Sequence, residues 1–213
     1  MNVSSFTVGP FAENCHLVVD DESRAAVLVD PGDEGARIVS EVKRAGVRPE
    51  AIWITHAHLD HIGGIAAVLR EWQLPVHLHP LDRPLYDRGA AQAAAYGIPF
   101  ESPPPPDREL AEGDVLEVGS LRFDVLHVPG HAPGHVAFYG HGLVFGGDCL
   151  FAGSIGRTDL PLANPAHLER SLERLASLPP ETIVYAGHGP DTTIGEELRT
   201  NPFLAGVARI AKR

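Results

Sequence analysis

Three imidazoles and a carboxylate fall within one short segment, Thr55-His56-Ala57-His58-Leu59-Asp60-His61. It directly follows Ala51-Ile52-Trp53-Ile54, an apolar run that reads as a buried strand. Neutral imidazole nitrogens and carboxylate oxygens are the ligands that suit Zn²⁺, Fe²⁺ or Mn²⁺, so the segment is expected to be a metal-binding loop. Side chains that alternate on a tight loop cannot all converge on one ion. Two neighbouring ions are therefore expected, His56 and His58 serving one and Asp60 and His61 the other, at the separation of about 3.5 to 4 Å usual for two-metal sites. The remaining ligands must come from elsewhere in the chain. Candidates are His131 after Val128-Pro129-Gly130, Asp148 after Val144-Phe145-Gly146-Gly147, and His188 after Val184-Tyr185-Ala186-Gly187, each following a strand-like apolar run.

The elements that would carry these residues alternate along the chain. Ser5 to Val8, His16 to Val19 and Ala26 to Val29 read as antiparallel strands separated by Gly-Pro and Asp-Asp-Glu-Ser turn signals. Asp33 to Ala45 carries apolar residues at a helical period and stops at Gly46. The strand Ala51 to Ile54 enters the metal loop, Gly63-Gly64 precedes a helix over Ile65 to Trp72, and Val76 to His79 reads as a further strand. Residues 80 to 113 break the regularity with an Ala-rich helical stretch, Leu81 to Tyr96, and a run of prolines, Pro103 to Pro106; this is either a lid or pocket wall or a solvated connector. Strands are expected again over Val115 to Val118, Leu121 to Val128, His135 to Tyr139 and Leu143 to Phe145, so the second half mirrors the first. Pro165 to Leu178 reads as an amphipathic helix, Thr182 to Tyr185 as a strand, and Thr192 to Arg199 and Phe203 to Lys212 as closing helices.

At 213 residues, 44% of them hydrophobic, the chain can bury one sizeable core and is read as a single domain over 1–213, against a usual domain size of about 100 to 200 residues. Its formal charge of −11, with no run of Lys or Arg, argues against a phosphate-tracking surface, so no nucleic-acid partner is expected. Cys15 and Cys149 lie far apart and offer no disulfide framework, which suits a reducing compartment. The start, Met-Asn-Val-Ser-Ser-Phe, lacks the basic and apolar regions of an export signal, and no stretch approaches the roughly 20 apolar residues of a membrane span. A cytoplasmic protein without a membrane partner is expected; composition leaves its oligomeric state open.

The order of the loops, His-Ala-His-Leu-Asp-His, then Pro-Gly-His, Gly-Gly-Asp and Ala-Gly-His-Gly, resembles the metallo-β-lactamase superfamily over nearly the whole chain. That resemblance implies an α/β fold, a four-layer αβ/βα sandwich with the metal site in a cleft at one edge. It also implies a ligand set: His56, His58 and His131 for one ion, Asp60, His61 and His188 for the other, and Asp148 as the bridge. Gly153-Ser154-Ile155-Gly156-Arg157-Thr158-Asp159 and the ending Gly187-His188-Gly189-Pro190-Asp191-Thr192 with Asn201-Pro202-Phe203-Leu204 are similar to the short glyoxalase II, or hydroxyacylglutathione hydrolase-like, group. The longer enzymes of that group add a C-terminal helical domain with glutathione contacts.

The activity implied is hydrolysis of a small-molecule thioester such as S-lactoylglutathione by a metal-bridging hydroxide that Asp60 orients. The cofactors implied are two divalent ions, Zn²⁺ first, with Fe²⁺ or Mn²⁺ as alternatives. The rival is a glutathione persulfide dioxygenase with a single Fe²⁺ on His56, His131 and Asp148; a lactonase of the same fold is a further alternative. Arg157 is the nearby cation best suited to a substrate carboxylate, and Asp30 in Val29-Asp30-Pro31-Gly32 is a candidate to brace a ligand imidazole. Of the remaining histidines, His16, His77 and His127 read as structural strand residues, His79, His141 and His167 as surface or turn positions, and His135 as a supporting residue near the site.

Overall fold

A computed structural model describes residues 1–210. The first half contains β1 (Asn2–Val8), β2 (Glu13–Val19), β3 (Ala25–Val29), α1 (Gly35–Ala45), β4 (Arg48–Trp53), α2 (Leu59–Ile62), α3 (Ile65–Glu71), β5 (Val76–Leu78), a 3-10 turn at Pro80–Asp82, α4 (Arg83–Tyr86), α5 (Gly89–Tyr96) and β6 (Arg108–Glu109). The second half contains β7 (Val115–Val118), β8 (Leu121–His127), β9 (Val136–Gly140), β10 (Leu143–Gly147), the hairpin β11 (Leu150–Phe151) and β12 (Ser154–Ile155), α6 (Pro165–Ala176), β13 (Ile183–Ala186), β14 (Thr192–Thr193) and α7 (Ile194–Thr200). One sheet has the order β1-β2-β3-β4-β5-β6 and the other β14-β13-β10-β9-β8-β7.

Alternation along the strands builds the layers. In β3 and β4, Ala25, Val27, Val29, Ala51 and Trp53 point between the sheets, where they meet Phe123, Val125, Phe138 and Phe145. Their neighbours Ala26, Leu28 and Ile52 point outward and pack under Ile38 and Val42 of α1 and Ile65 and Val68 of α3. On the far side Val144 and Val184 pack under Leu168, Leu172 and Leu175 of α6 and Ile194 of α7. Because these central strands are covered on both faces, they are apolar runs without polar alternation. Helix, sheet, sheet and helix give the αβ/βα sandwich.

Two helical expectations are corrected. The stretch Leu81 to Tyr96 is not one helix but a 3-10 turn, α4 and α5. Pro84 can follow only at a helix start, and Gly89 lies where a β-carbon would meet the Phe100 ring. The helix expected over Phe203 to Lys212 is absent over residues 203–210, which form turns and bends around Gly206 at φ +73°; the last two residues of that span lie outside the described residues. His79, expected at a surface or turn, does cap the 3-10 turn that follows β5, its Nδ1 accepting from Leu81 N–H, but it is buried there with its ring stacked on His127 at 4.4 Å.

His16 is a structural histidine of β2, bonded through Nδ1 to the Ser5 hydroxyl at 2.8 Å and packed against Phe145 and Tyr185. Burial pushes its pKa down from 6.5 to about 3. The unfolded chain therefore takes up a proton that the folded chain refuses. The stability contributed by neutral His16 is present above pH 6.5 and is lost as pH falls toward 3, at about 1.4 kcal/mol per pH unit. His16→Gln is expected to flatten the acid limb of the stability profile by that slope. Urea unfolding from about pH 7 down to about pH 4 checks it, and equal slopes in the two proteins would exclude the effect.

Candidate metal centre

Strand direction brings the ligand residues to one edge. β3 and β4 run parallel, as do β10 and β13, and β8 shares the direction of β10 because both pair antiparallel with β9. Asp30, the segment Thr55–His61, His131, Asp148 and His188 all follow the C-terminal ends of those strands, the usual place for a site on parallel strands. Gly147, at φ +48°, turns the chain so that Asp148 enters the cleft. A β-carbon on Gly187 would overlap the Asp148 carboxylate, so His188 is reached by a residue without a side chain.

All seven residues of the expected ligand set gather there. Asp148 lies between two groups: its Oδ1 is 3.4 Å from His61 Nε2, and its Oδ2 is 3.4 Å from His131 Nε2 and 3.5 Å from His188 Nε2. His58 Nδ1 is 2.9 Å from His131 Nε2, and Asp60 Oδ2 is 3.3 Å from His188 Nε2. Ligand atoms of His56, His58 and His131 lie within 4.8 Å of one another, as do those of Asp60, His61 and His188.

The outward nitrogens fix the tautomers. His131 Nδ1 donates to the Arg157 carbonyl at 2.9 Å and His188 Nδ1 to the Phe11 carbonyl at 3.1 Å; carbonyls only accept, so these protons are assigned. His61 Nδ1 donates to Asp30 Oδ2 at 3.0 Å. The Thr55 hydroxyl donates to Asp30, which leaves its oxygen to accept from His56 Nδ1 at 3.2 Å. His56, His61 and His131 thus carry the second-nitrogen partner that metal-bound histidines have, and present Nε2 inward. Asp30, held at φ +50° with the Thr55 N–H 2.7 Å from Oδ1, braces the loop as the sequence suggested. It also falls within ligand distance of His56 and His61, but its oxygens are engaged by Thr55 and His61.

The residues fit a pair of divalent cations. His56 Nε2, His61 Nε2 and Asp148 Oδ1 are buried without a hydrogen-bond partner among the described residues, a costly state for polar atoms unless an ion receives them. The charges point the same way. Burial alone would push the Asp148 carboxyl up, yet His61, His188 and His131 hold it well below the ordinary carboxylate range. Burial opposes protonation of His188, but Asp148 and Asp60 raise it to about 10. Burial and then neighbouring imidazoles push His56 down, and His58 to about 3. Protons on His61 and His188 therefore balance carboxylates that cations would otherwise balance.

Several supporting residues escaped the sequence reading. Asp82 accepts from Ala57 N–H at 2.9 Å and Gly134 N–H at 2.5 Å, stapling the first metal loop to the His131 loop. Asn14 donates to the carbonyls of Ala186 and Gly189 at 3.1 and 2.8 Å, tying the first sheet to the His188 turn. Gln92 of α5 donates to the Ala57 carbonyl at 3.1 Å and accepts from Leu59 N–H at 3.2 Å. Glu13, fully buried with neither carboxylate oxygen hydrogen-bonded among the described residues, lies 3.9 Å from His61. Nothing local marks these residues, because every partner is distant in sequence. His135 does what its proximity to His131 suggested: its Nε2 accepts from Asp148 N–H at 3.0 Å and its ring stacks on His56.

A cavity of about 580 Å³ opens on His58, Asp60, His131, Asp148 and His188. Phe11, Leu85, Ala91, Ala95, Tyr96, Phe151, Ile155 and Leu160 give it largely apolar walls. Residues of the irregular 80–113 stretch thus form a pocket wall. Arg157 also lines it, with its guanidinium held by Asp159 at 2.6 and 2.7 Å.

Asp30→Ala is expected to lower metal affinity by about 10- to 100-fold, the usual effect of losing a ligand's outer partner; chelator competition measures it, and unchanged affinity would make Asp30 a turn residue only. Metal uptake near neutral pH must also displace the proton that Asp148 and Asp60 hold on His188 up to about 10. Apparent affinity should therefore rise with pH from roughly 6 to 9, with proton release visible by calorimetry in two buffers, and a flat profile would contradict this charge balance.

A family model for the metallo-beta-lactamase superfamily matches residues 8–188. Hydroxyacylglutathione hydrolase GloC of Haemophilus influenzae is 37% identical over 209 residues, spanning 96% of this chain and 98% of that protein. TTHA1623, solved in a di-iron-bound form, matches with a TM-score of 0.88 at 51% identity over 94% of this chain and all of the other. ETHE1 from Myxococcus xanthus matches with a TM-score of 0.81 at 30% identity, over 97% of this chain and 85% of its own. With its ligand loops, its sandwich and a family match over most of its length in agreement, the chain belongs to the metallo-beta-lactamase superfamily.

Proposed function

We propose that the protein is a thioester hydrolase acting on S-hydroxyacylglutathiones such as S-lactoylglutathione. The observation that carries this reading is the cavity of about 580 Å³ floored by His58, Asp60, His131, Asp148 and His188, with His56 and His61 of the two ligand groups buried behind them. The full-length likeness to GloC supports the choice of substrate. Two divalent ions on these residues, Zn²⁺ first, would supply hydroxide at neutral pH and Lewis acidity toward a carbonyl oxygen.

The chain's own groups do the rest. Asp60, only partly buried at the cavity floor and bonded to His188, accepts a hydrogen bond from the attacking water and aims it at the acyl carbon. Attack forms the new C–O bond, the C–S bond breaks, the protons of the water pass to solvent as the carboxylate product forms, and the sulfur leaves as a thiolate, which needs no strong acid because thiols ionise near 8.5. The apolar walls exclude bulk water from the acyl group. Cys149, fully buried beside Asp148, has its thiol pushed up by burial and then by that carboxylate, so it remains protonated and does not compete as a nucleophile.

A second reading is oxidation of a glutathione persulfide at one Fe²⁺ on His56, His131 and Asp148; TTHA1623 supports iron as the metal, although it holds two. The gathering of Asp60, His61 and His188 into a second ligand group favours the hydrolase.

Protein purified without added metal is expected to carry about two ions per chain by elemental analysis and to release thiol from S-lactoylglutathione under nitrogen. Asp148→Ala should lose metal and turnover together, by more than about 100-fold. Turnover retained with metal lost would sink this reading. One iron per chain, no thiol release and O₂ uptake with glutathione persulfide would establish the dioxygenase.

A further inference from the structure

One wall of the cavity, attached to the metal loop, is a helical stripe. Arg88, the residue before α5, is followed at helical spacing by Ala91, Gln92, Ala95 and Tyr96, and all of them line the cavity. Gln92 is the member of the stripe that holds the metal loop, through Ala57 and Leu59. Arg88 stands one helical turn from Gln92, about 6 Å along the axis, on the same face.

What separates Arg88 from Arg157, the other arginine of the cavity, is its lack of a partner among the described residues. Arg157 is engaged in a fork by Asp159. The neighbouring Arg83 is paired with Asp87, and Arg70 with Glu101. Among the described residues no hydrogen bond or ion pair is found for the Arg88 guanidinium, although the chain carries a formal charge of −11 and acidic side chains are plentiful. An exposed, uncommitted guanidinium on an otherwise apolar wall is suited to a planar carboxylate, which it can bind through two parallel N–H donors.

We propose that Arg88 anchors a carboxylate on the carrier side of the substrate, so that the preferred substrates are thioesters of small carboxylate-bearing thiols. This rests on the thioesterase reading. One partnerless arginine among the described residues, on a chain of formal charge −11, also selects against carriers with several phosphates, such as coenzyme A, which would need more positive charge at the cavity mouth.

The test uses one acyl group on three thiols: 3-mercaptopropionate, its methyl ester, and coenzyme A. With metal-loaded wild type, kcat/KM is expected to be highest for the free carboxylate. In Arg88→Ala the preference for carboxylate over ester should fall roughly tenfold, through KM rather than kcat, with partial recovery in Arg88→Lys and a further fall in Arg88→Glu. The wild-type preference should shrink as salt rises. Calorimetry with the non-hydrolysable thioether 3-(hexylthio)propionate and its methyl ester reads the same contrast without turnover. A carboxylate preference that survives in Arg88→Ala, in kinetics or in binding, overturns the proposal, as does a wild-type preference for coenzyme A. If wild type turns over none of the thioesters but binds the thioether carboxylate through Arg88, the thioesterase reading fails while the carboxylate anchor stands.

Discussion

The buried carboxylate of Asp148 is the constraint around which the molecule is arranged. A lone anion at such depth is strongly disfavoured, and this one is tolerated because His61, His131 and His188 surround it. Those imidazoles arrive on three separate loops, so the charge can be compensated only if the ends of strands from both sheets meet at one edge. With protons the balance is held by His61 and His188; with divalent ions it would be held by the metals. The centre is built so that some cation is always required.

Meeting at an edge is not enough, because loops at strand ends are mobile unless tied. The ties are side chains bonded to distant backbone. Asp82 joins the two loops that carry His56, His58 and His131; Asn14 joins the His188 turn to the first sheet; Asp30 and Thr55 lock the outward nitrogens of His61 and His56. Each tie satisfies backbone or ring groups that would otherwise be buried without partners. The same bonds that stabilise the edge therefore set the aim of the ligands, and stability and function are not separable there.

The cavity wall is coupled to this arrangement. α5 is attached to the metal loop by Gln92, so a ligand that presses on Ala91, Ala95 or Tyr96 acts on a helix in direct contact with the segment that holds His56 and His58. The cavity wall and the metal loop share one hydrogen-bonded element. Arg88, at the start of that helix, adds to the largely apolar wall a guanidinium that has no hydrogen-bond or ion-pair partner among the described residues.

Local chemistry determined much of this from the sequence alone. Continuous apolar runs located the central strands and helical periods located α1, α3 and α6, because strands covered on both faces must be apolar throughout and amphipathic helices must show one apolar stripe. The metal loop was readable because its ligands are crowded into a few residues, and His131, Asp148 and His188 because each ends an apolar run. Tertiary structure alone decided how His131, Asp148 and His188 are brought to the metal loop, and the roles of Asp82, Asn14, Gln92 and Glu13, whose partners lie far away in the chain. It also broke the helix expected over Leu81 to Tyr96, since Gly89 must pass under Phe100 and Asp82 must turn inward to staple two loops. Residue type and spacing fix which chemistry is possible; only the packing of distant strands fixes where each atom is held.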